Sequence, residues 1–283
     1  MNIRPAEFAG SWYPDQPDDC ERKINRFIKE GAGEPGKGEA KIGGIVPHAG
    51  WHFSGAIAAN VIHQLRAGPP PEVFLIFGMH LHPNSPGYIM AEGAWETPFG
   101  SLPIAEDVAA ALTERFDFVI ETPSRHARDN TIELQLPFIK YFFGDAAIVP
   151  MGVPPHALAM EIGEAAVDIA RSRNRTLRIL GSTDLTHYGP GYGFAPKGQG
   201  PAAVKWVREE NDRRIVEAIE AMDPAAVIRQ GLTNQNACCA GAAAAAIAAG
   251  RRMGARRAEK LVYASSYDKS PGVSFVGYVG AVF

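Results

Sequence analysis

Several residues with the side chains needed for metal or proton chemistry stand where apolar runs of this chain end. Ile42, Ile45 and Val46 lead through Pro47 to His48, and Val73-Phe-Leu-Ile-Phe77 leads through Gly78 and Met79 to His80. Leu177-Arg-Ile-Leu-Gly181 leads through Ser182 and Thr183 to Asp184 and, three residues on, His187. An imidazole offers a nitrogen lone pair near neutral pH, so His48 and His80 are candidate metal ligands. An aspartate beside a histidine orients a proton-transferring ring, which makes Asp184 and His187 a candidate acid/base pair; a simple turn cap is the alternative for Asp184. Cys238 and Cys239 open an alanine-rich helical segment, where the helix dipole favours a thiolate that could join the site. Packing as a small buried side chain is the alternative, and it must hold for at least one of the adjacent pair.

The remaining polar candidates have weaker claims. His52 follows His48 by four residues, but Pro47 and Gly50 oppose a regular helix there, so His52 lines the pocket or faces solvent. His82 points away from His80 in extended chain. His63 and His156 read as surface residues of helices. Asp129 and Glu133 are either carboxylates supporting the site or a helix start, and His126 is a further candidate pocket donor.

For the candidates to meet, the apolar runs must be neighbouring strands with the same direction, because ligands of open α/β sheets bind beyond the carboxyl ends of the strands. The rest of the chain supports such a sheet. Helical stretches are expected at residues 15–31, 55–66 with Ser54 as cap, 105–115, 130–143 with Asn130 and Glu133 as a capping box, 155–171, 202–221, 224–230 and 237–250. Strand-like runs alternate with them, including 88–95, 116–120 and 146–149, and the runs at 261–264 and 273–283 are expected to form a hairpin. Residues 31–38 read as a glycine-rich loop, and 188–201 as a loop that covers the site. The fold class is therefore α/β, one domain with a largely parallel central sheet and helices on both faces.

Composition narrows the partners. At 283 residues with 46% hydrophobic and 21% charged residues, the chain can bury a sizeable core. A formal charge of -3 with dispersed Lys and Arg gives no footprint for nucleic acid, and no basic amphipathic stretch marks a membrane surface. The most apolar tract, 240–249, is too short to span a bilayer, and no charged-then-apolar leader opens the sequence, which leads us to expect a cytoplasmic protein. Three cysteines cannot form a disulfide framework, so they are expected to be reduced thiols. A small-molecule substrate is the expected ligand.

These pieces in this order resemble the Memo family, which includes the bacterial proteins called AmmeMemoRadiSam system protein B. The likeness runs through Ala9-Gly-Ser-Trp-Tyr-Pro14, Val46-Pro-His-Ala-Gly-Trp51, Phe77-Gly-Met-His80, Trp95-Glu-Thr-Pro-Phe-Gly100, Ile132-Glu133, Ser182-Thr-Asp-Leu-Thr-His-Tyr-Gly189, the Cys238 region and Val273 to Tyr278. The family looks like class III extradiol ring-cleavage dioxygenases (LigB-like) in fold. The resemblance implies one mononuclear metal held by His48, His80 and a cysteine, with Asp184 and His187 beside it. Fe(II) is the favoured ion, and copper and zinc are the alternatives.

Two positions depart from the family pattern. Cys238 matches the family cysteine and Cys239 stands in place of a glycine, which leaves the choice between the two thiols open; Asp129-Asn130-Thr131 replaces a commoner Glu-His-Ser. A thiolate where ring-cleaving relatives have a carboxylate alters the oxygen chemistry to be expected. Three functions follow from the resemblance: an oxidoreductase of the extradiol dioxygenase type on a catechol-like substrate, a non-catalytic metal- or partner-binding protein acting with a radical-SAM system, and a zinc hydrolase with His187 as base. A protein partner and a homodimer both stay open.

Overall fold

The computed structural model describes residues 2–31, 40–144 and 146–283, so residues 32–38 of the expected glycine-rich loop lie outside the described residues. In chain order the strands are β1 Ile3–Arg4, β2 Gly43–Val46, β3 Val73–Gly78, β4 Gly87–Met90, β5 Ala94–Trp95, β6 Leu102–Pro103, β7 Phe118–Glu121, β8 Ala147–Gly152, β9 Leu177–Ser182, β10 His187–Tyr188, β11 Glu259–Ser265 and β12 Phe275–Val282. The helices are α1 Pro17–Lys29, α2 Ala56–Gln64, α3 Glu106–Arg115, α4 Asn130–Glu133, α5 Leu136–Phe143, α6 Leu158–Ser172, α7 Pro201–Trp206, α8 Asp212–Glu220, α9 Pro224–Asn234 and α10 Ala240–Arg252.

Among the described residues the main sheet has nine strands in the order β10-β12-β2-β9-β3-β8-β4-β7, with β11 added on β12. Its centre is parallel: β2 pairs with β9, β9 with β3, and β3 with β8. Every residue of β2, β3 and β9 is buried. That explains why these strands are mostly apolar, as expected for strands covered on both faces; the exception, Arg178 of β9, donates to the carbonyls of Leu65, Ala67 and Pro69. The flanks are mixed: β4 runs antiparallel to β8, and β12 runs antiparallel to β2, β10 and β11. The expected closing hairpin is the β11/β12 pair.

Alanine and glycine let the covering helices approach closely. α10 is buried from Ala240 to Gly250 and lies against α6 and the sheet. A Cβ on Gly163 of α6 would come within 2.2 Å of the Ala245 carbonyl oxygen, so this helix crossing requires glycine.

Local structure departs from expectation at several places, among them the expected 202–221 helix, which divides into α7, a π-helical turn and α8. The helix after β2 begins with a π-helical turn, Trp51–Gly55, before α2, and Ser54 does not cap it but donates to the Ala49 carbonyl at 2.8 Å. Asp129, not Asn130, caps α4 by accepting the Ile132 N–H at 2.9 Å, and the expected 130–143 helix breaks into α4 and α5. The 88–95 run divides between two sheets: β4 joins the main sheet, and β5 pairs with β1 and β6 beyond the positive-φ Gly93. His63 is buried rather than on the surface, 5.2 Å from the Phe142 ring and beside Arg66, because α2 is covered nearly all round.

Candidate metal centre

The three strands whose ends carry the candidate residues are consecutive and parallel, and this brings their exits to one point. Val46 pairs with Ser182 and Phe77 with Gly181, so His48, His80 and Asp184 leave the sheet side by side. Adjacent strands lie about 4.8 Å apart, which is the scale of a coordination sphere with its side chains. His48 Nε2 lies 3.1 Å from His80 Nε2 and 3.3 Å from Cys238 Sγ. The ligand-capable atoms of His48, His80, Cys238 and Cys239 all fall within 4.8 Å of one another.

Each member is held by its own local structure. Ser182 donates its hydroxyl to the Thr131 carbonyl at 2.7 Å, so its oxygen is left to accept from His48 Nδ1 at 2.9 Å. A proton fixed on Nδ1 leaves the Nε2 lone pair facing the cluster, which is the tautomer a metal requires. His80 follows Met79, a non-glycine residue at φ 69, and the Met79 N–H donates to Thr131 Oγ1 at 2.7 Å. Such a backbone conformation costs about 1–3 kcal/mol and persists only where neighbours enforce it. Cys238 is tied in reciprocally: its N–H donates to the Asp184 carbonyl at 3.1 Å, and the Asp184 N–H donates to its sulfur at 3.2 Å.

The segment around α4 acts as a clamp over the strand exits. Asn130 donates to the His48 carbonyl at 3.1 Å, and Gln135 donates to that of Pro47 at 3.0 Å. No local sequence pattern marks Asn130, Gln135, Ser182 or Thr131 for this role. Each bond spans more than fifty residues of chain, so no local pattern could have announced it.

Asp184 is 4% exposed and faces both imidazoles. Its Oδ1 accepts the His48 N–H at 2.8 Å, and its Oδ2 lies 3.8 Å from His187 Nε2 and 4.0 Å from His48 Nε2. Burial opposes protonation of His187, yet the facing Asp184 carboxylate and the charge at Cys238 outweigh it and raise its pKa. For His48 the same balance of burial against Asp184 and Cys238 ends with a pKa pushed up to about 9 in the metal-free chain. Tyr192 stacks on His187 at 4.9 Å, so the loop after β10 covers this side of the site as expected.

Two cavities meet at the cluster. The larger, of about 790 Å³, is lined by His48, His80, Asp184, Asn130, aromatic side chains including Trp12 and Tyr278, and the exposed His52. The smaller, of about 370 Å³, is lined by Cys238, His82 and Leu232. His187 and Tyr192 line both.

The other sequence candidates serve elsewhere. Glu133 accepts backbone N–H groups of Glu7 and Phe8 and the Tyr13 hydroxyl, pinning the segment that walls the larger cavity. His126 lies against Glu7 and the Thr122 carbonyl and does not line that cavity. His156 is half-buried before α6, where its Nδ1 accepts the Leu158 N–H. Among the described residues no helix is long and apolar enough to cross a membrane.

Comparison with known proteins adds to this geometry. A family profile described as Memo-like protein matches residues 4–282. A MEMO1 family protein of Methanopyrus kandleri is 36% identical over 295 residues, covering 100% of this chain and 99% of the relative. One of Pyrococcus furiosus is 31% identical, covering 99% and 98% respectively. Among solved structures, an uncharacterized protein from Escherichia coli K12 superposes with a TM-score of 0.52 at 12% identity, over 80% of this chain and 91% of that one. At that identity it speaks for the fold alone.

Proposed function

The chain belongs to the Memo-like family, and from that premise we propose that it holds one metal ion, Fe(II), through His48, His80 and Cys238 for extradiol-type oxidation of a small catechol-like substrate. The observation that carries this reading is the convergence of two Nε2 atoms and one sulfur at 3.1 and 3.3 Å. Donor atoms around one ion, with bonds of about 2.0 Å to nitrogen and about 2.3 Å to sulfur, lie about 3.3–3.6 Å apart, so the residues fit the group. When bound, such an ion supplies Lewis-acid and redox chemistry and leaves positions open for substrate oxygens.

The chain's own residues supply the rest. Ser182 holds His48 in the ligating tautomer. His187 Nε2 takes the proton of a bound hydroxyl, and Asp184 Oδ2, 3.8 Å away, stabilises the resulting imidazolium. Tyr192 keeps the ring in place by stacking. The aromatic walls of the larger cavity suit a planar substrate.

The test is oxygen consumption by the anaerobically purified, Fe(II)-loaded protein across a catechol panel. Turnover with at least one substrate is expected, and His187→Ala should lower it by about a hundredfold with metal retained. Silence across the panel with iron bound would reject the oxidoreductase reading.

A further inference from the structure

Adjacency leads one to expect that at least one of Cys238 and Cys239 only packs, yet the Cys239 sulfur shares the surroundings of the proposed ligands. It lies 3.7 Å from Cys238 Sγ and belongs to the group of four donors gathered within 4.8 Å. Around a tetrahedral ion with metal–sulfur bonds of about 2.3 Å, two sulfurs stand about 3.8 Å apart. The two thiols already have that separation. Their backbones are fixed on the same loop, because the Cys238 N–H donates to the Asp184 carbonyl and the Cys239 N–H donates to Thr183 Oγ1, each at 3.1 Å. Asp184, the nearest carboxylate, is not among the four donors so gathered, and its Oδ1 is engaged by the His48 N–H at 2.8 Å.

Resting on the metal-binding reading above, we propose that Cys239 is a fourth ligand, closing the site into a two-imidazole, two-thiolate set when a thiophilic closed-shell ion such as Zn2+, Cd2+ or Cu+ enters. Ions of this kind prefer thiolate donors and accept tetrahedral geometry. The widest separation in the group, 4.8 Å, exceeds the tetrahedral edge by about 1 Å, within reach of one side-chain rotation. Ligation by the second sulfur releases its thiol proton. The consequence is two modes for one cluster: three donors leave room for substrate, and four donors fill the coordination sphere. A thiophilic ion therefore binds tightly and shuts the site.

The experiment is a Cd(II) titration of the metal-free full-length chain, followed by the ultraviolet sulfur-to-cadmium charge-transfer band, whose intensity per bound ion counts thiolate ligands. Wild type should show about twice the per-ion intensity of Cys239→Ser, and the variant should bind Cd(II) about tenfold or more weakly. Cys239→Ala, checked for folding by circular dichroism, should behave as Cys239→Ser does. Equal per-ion intensity in wild type and both variants, with one Cd(II) bound per chain, would overturn the role of Cys239 and leave the three-ligand reading standing. Absence of Cd(II) and Fe(II) binding by the wild type would overturn both.

Discussion

Cys20 and Cys238 are the same side chain in two regions of the molecule that treat it in opposite ways. Cys20 sits in α1, fully buried, with its Sγ donating to the Pro14 carbonyl at 3.0 Å; burial is the dominant influence and pushes the thiol up to about 12. Cys238 also suffers desolvation, but its contact with Cys239, the charge and hydrogen bond of His48 and that of His80 together hold it well below the usual thiol range. Burial alone makes a thiol inert. What turns burial into a site is the arrival of N–H donors and imidazoles from three parallel strand exits, and nothing of that kind reaches α1.

The largest consequence is chemical reactivity. In the metal-free chain at pH 7, Cys238 should be alkylated by iodoacetamide on the order of a thousandfold faster than Cys20, as read by peptide mass spectrometry. Similar rates would break the comparison.

A buried carboxyl sharpens it. Asp212 accepts from the Thr186 N–H at 3.0 Å, from the Thr186 hydroxyl and from the Tyr263 hydroxyl. Burial outweighs these donors and moves its pKa from 3.8 to about 6. The folded state therefore holds a proton that the unfolded state has released, so this group's contribution is complete below about pH 4 and lost as pH rises through about 6. Between pH 4 and 7 the stability difference between wild type and Asp212→Asn should change by about 2 kcal/mol in denaturant melts, and a flat difference would contradict the assignment.

Next in size is the clamp. Thr131→Val strands the Met79 N–H that now donates at 2.7 Å, which should cost about 1–3 kcal/mol and weaken metal binding by loosening His80. Unchanged affinity in a metal titration would show that His80 is placed without it. The smallest effect is expected from Cys20→Ala, about 1 kcal/mol of stability with metal content unaltered.

The strand exits could be read from the sequence because apolar runs covered on both faces have no polar alternation and end abruptly at Pro47, at Gly78 and after Gly181. The order β2-β9-β3, which makes those exits neighbours, could only be supposed. Edge strands were harder to place: the main sheet is parallel at its centre but antiparallel at β4/β8 and around β12, where pairing is decided by distant segments. The burial of His63 was hidden because α2 is covered nearly all round, so its periodicity marks no outer face. The cap fell on Asp129 instead of Asn130 because both residue types serve that role and only the backbone chooses between them. Ser182, Thr131, Gln135 and Asp212 carried no signal, since their partners lie far away in sequence.

If two imidazoles and one thiolate meet around one ion, metal quantification on chain purified anaerobically without chelator, alongside His48→Ala, His80→Ala and Cys238→Ala, reads it out. About one ion per wild-type chain and near-complete loss in each variant that keeps its fold are expected. Undiminished metal content in the three variants would contradict it.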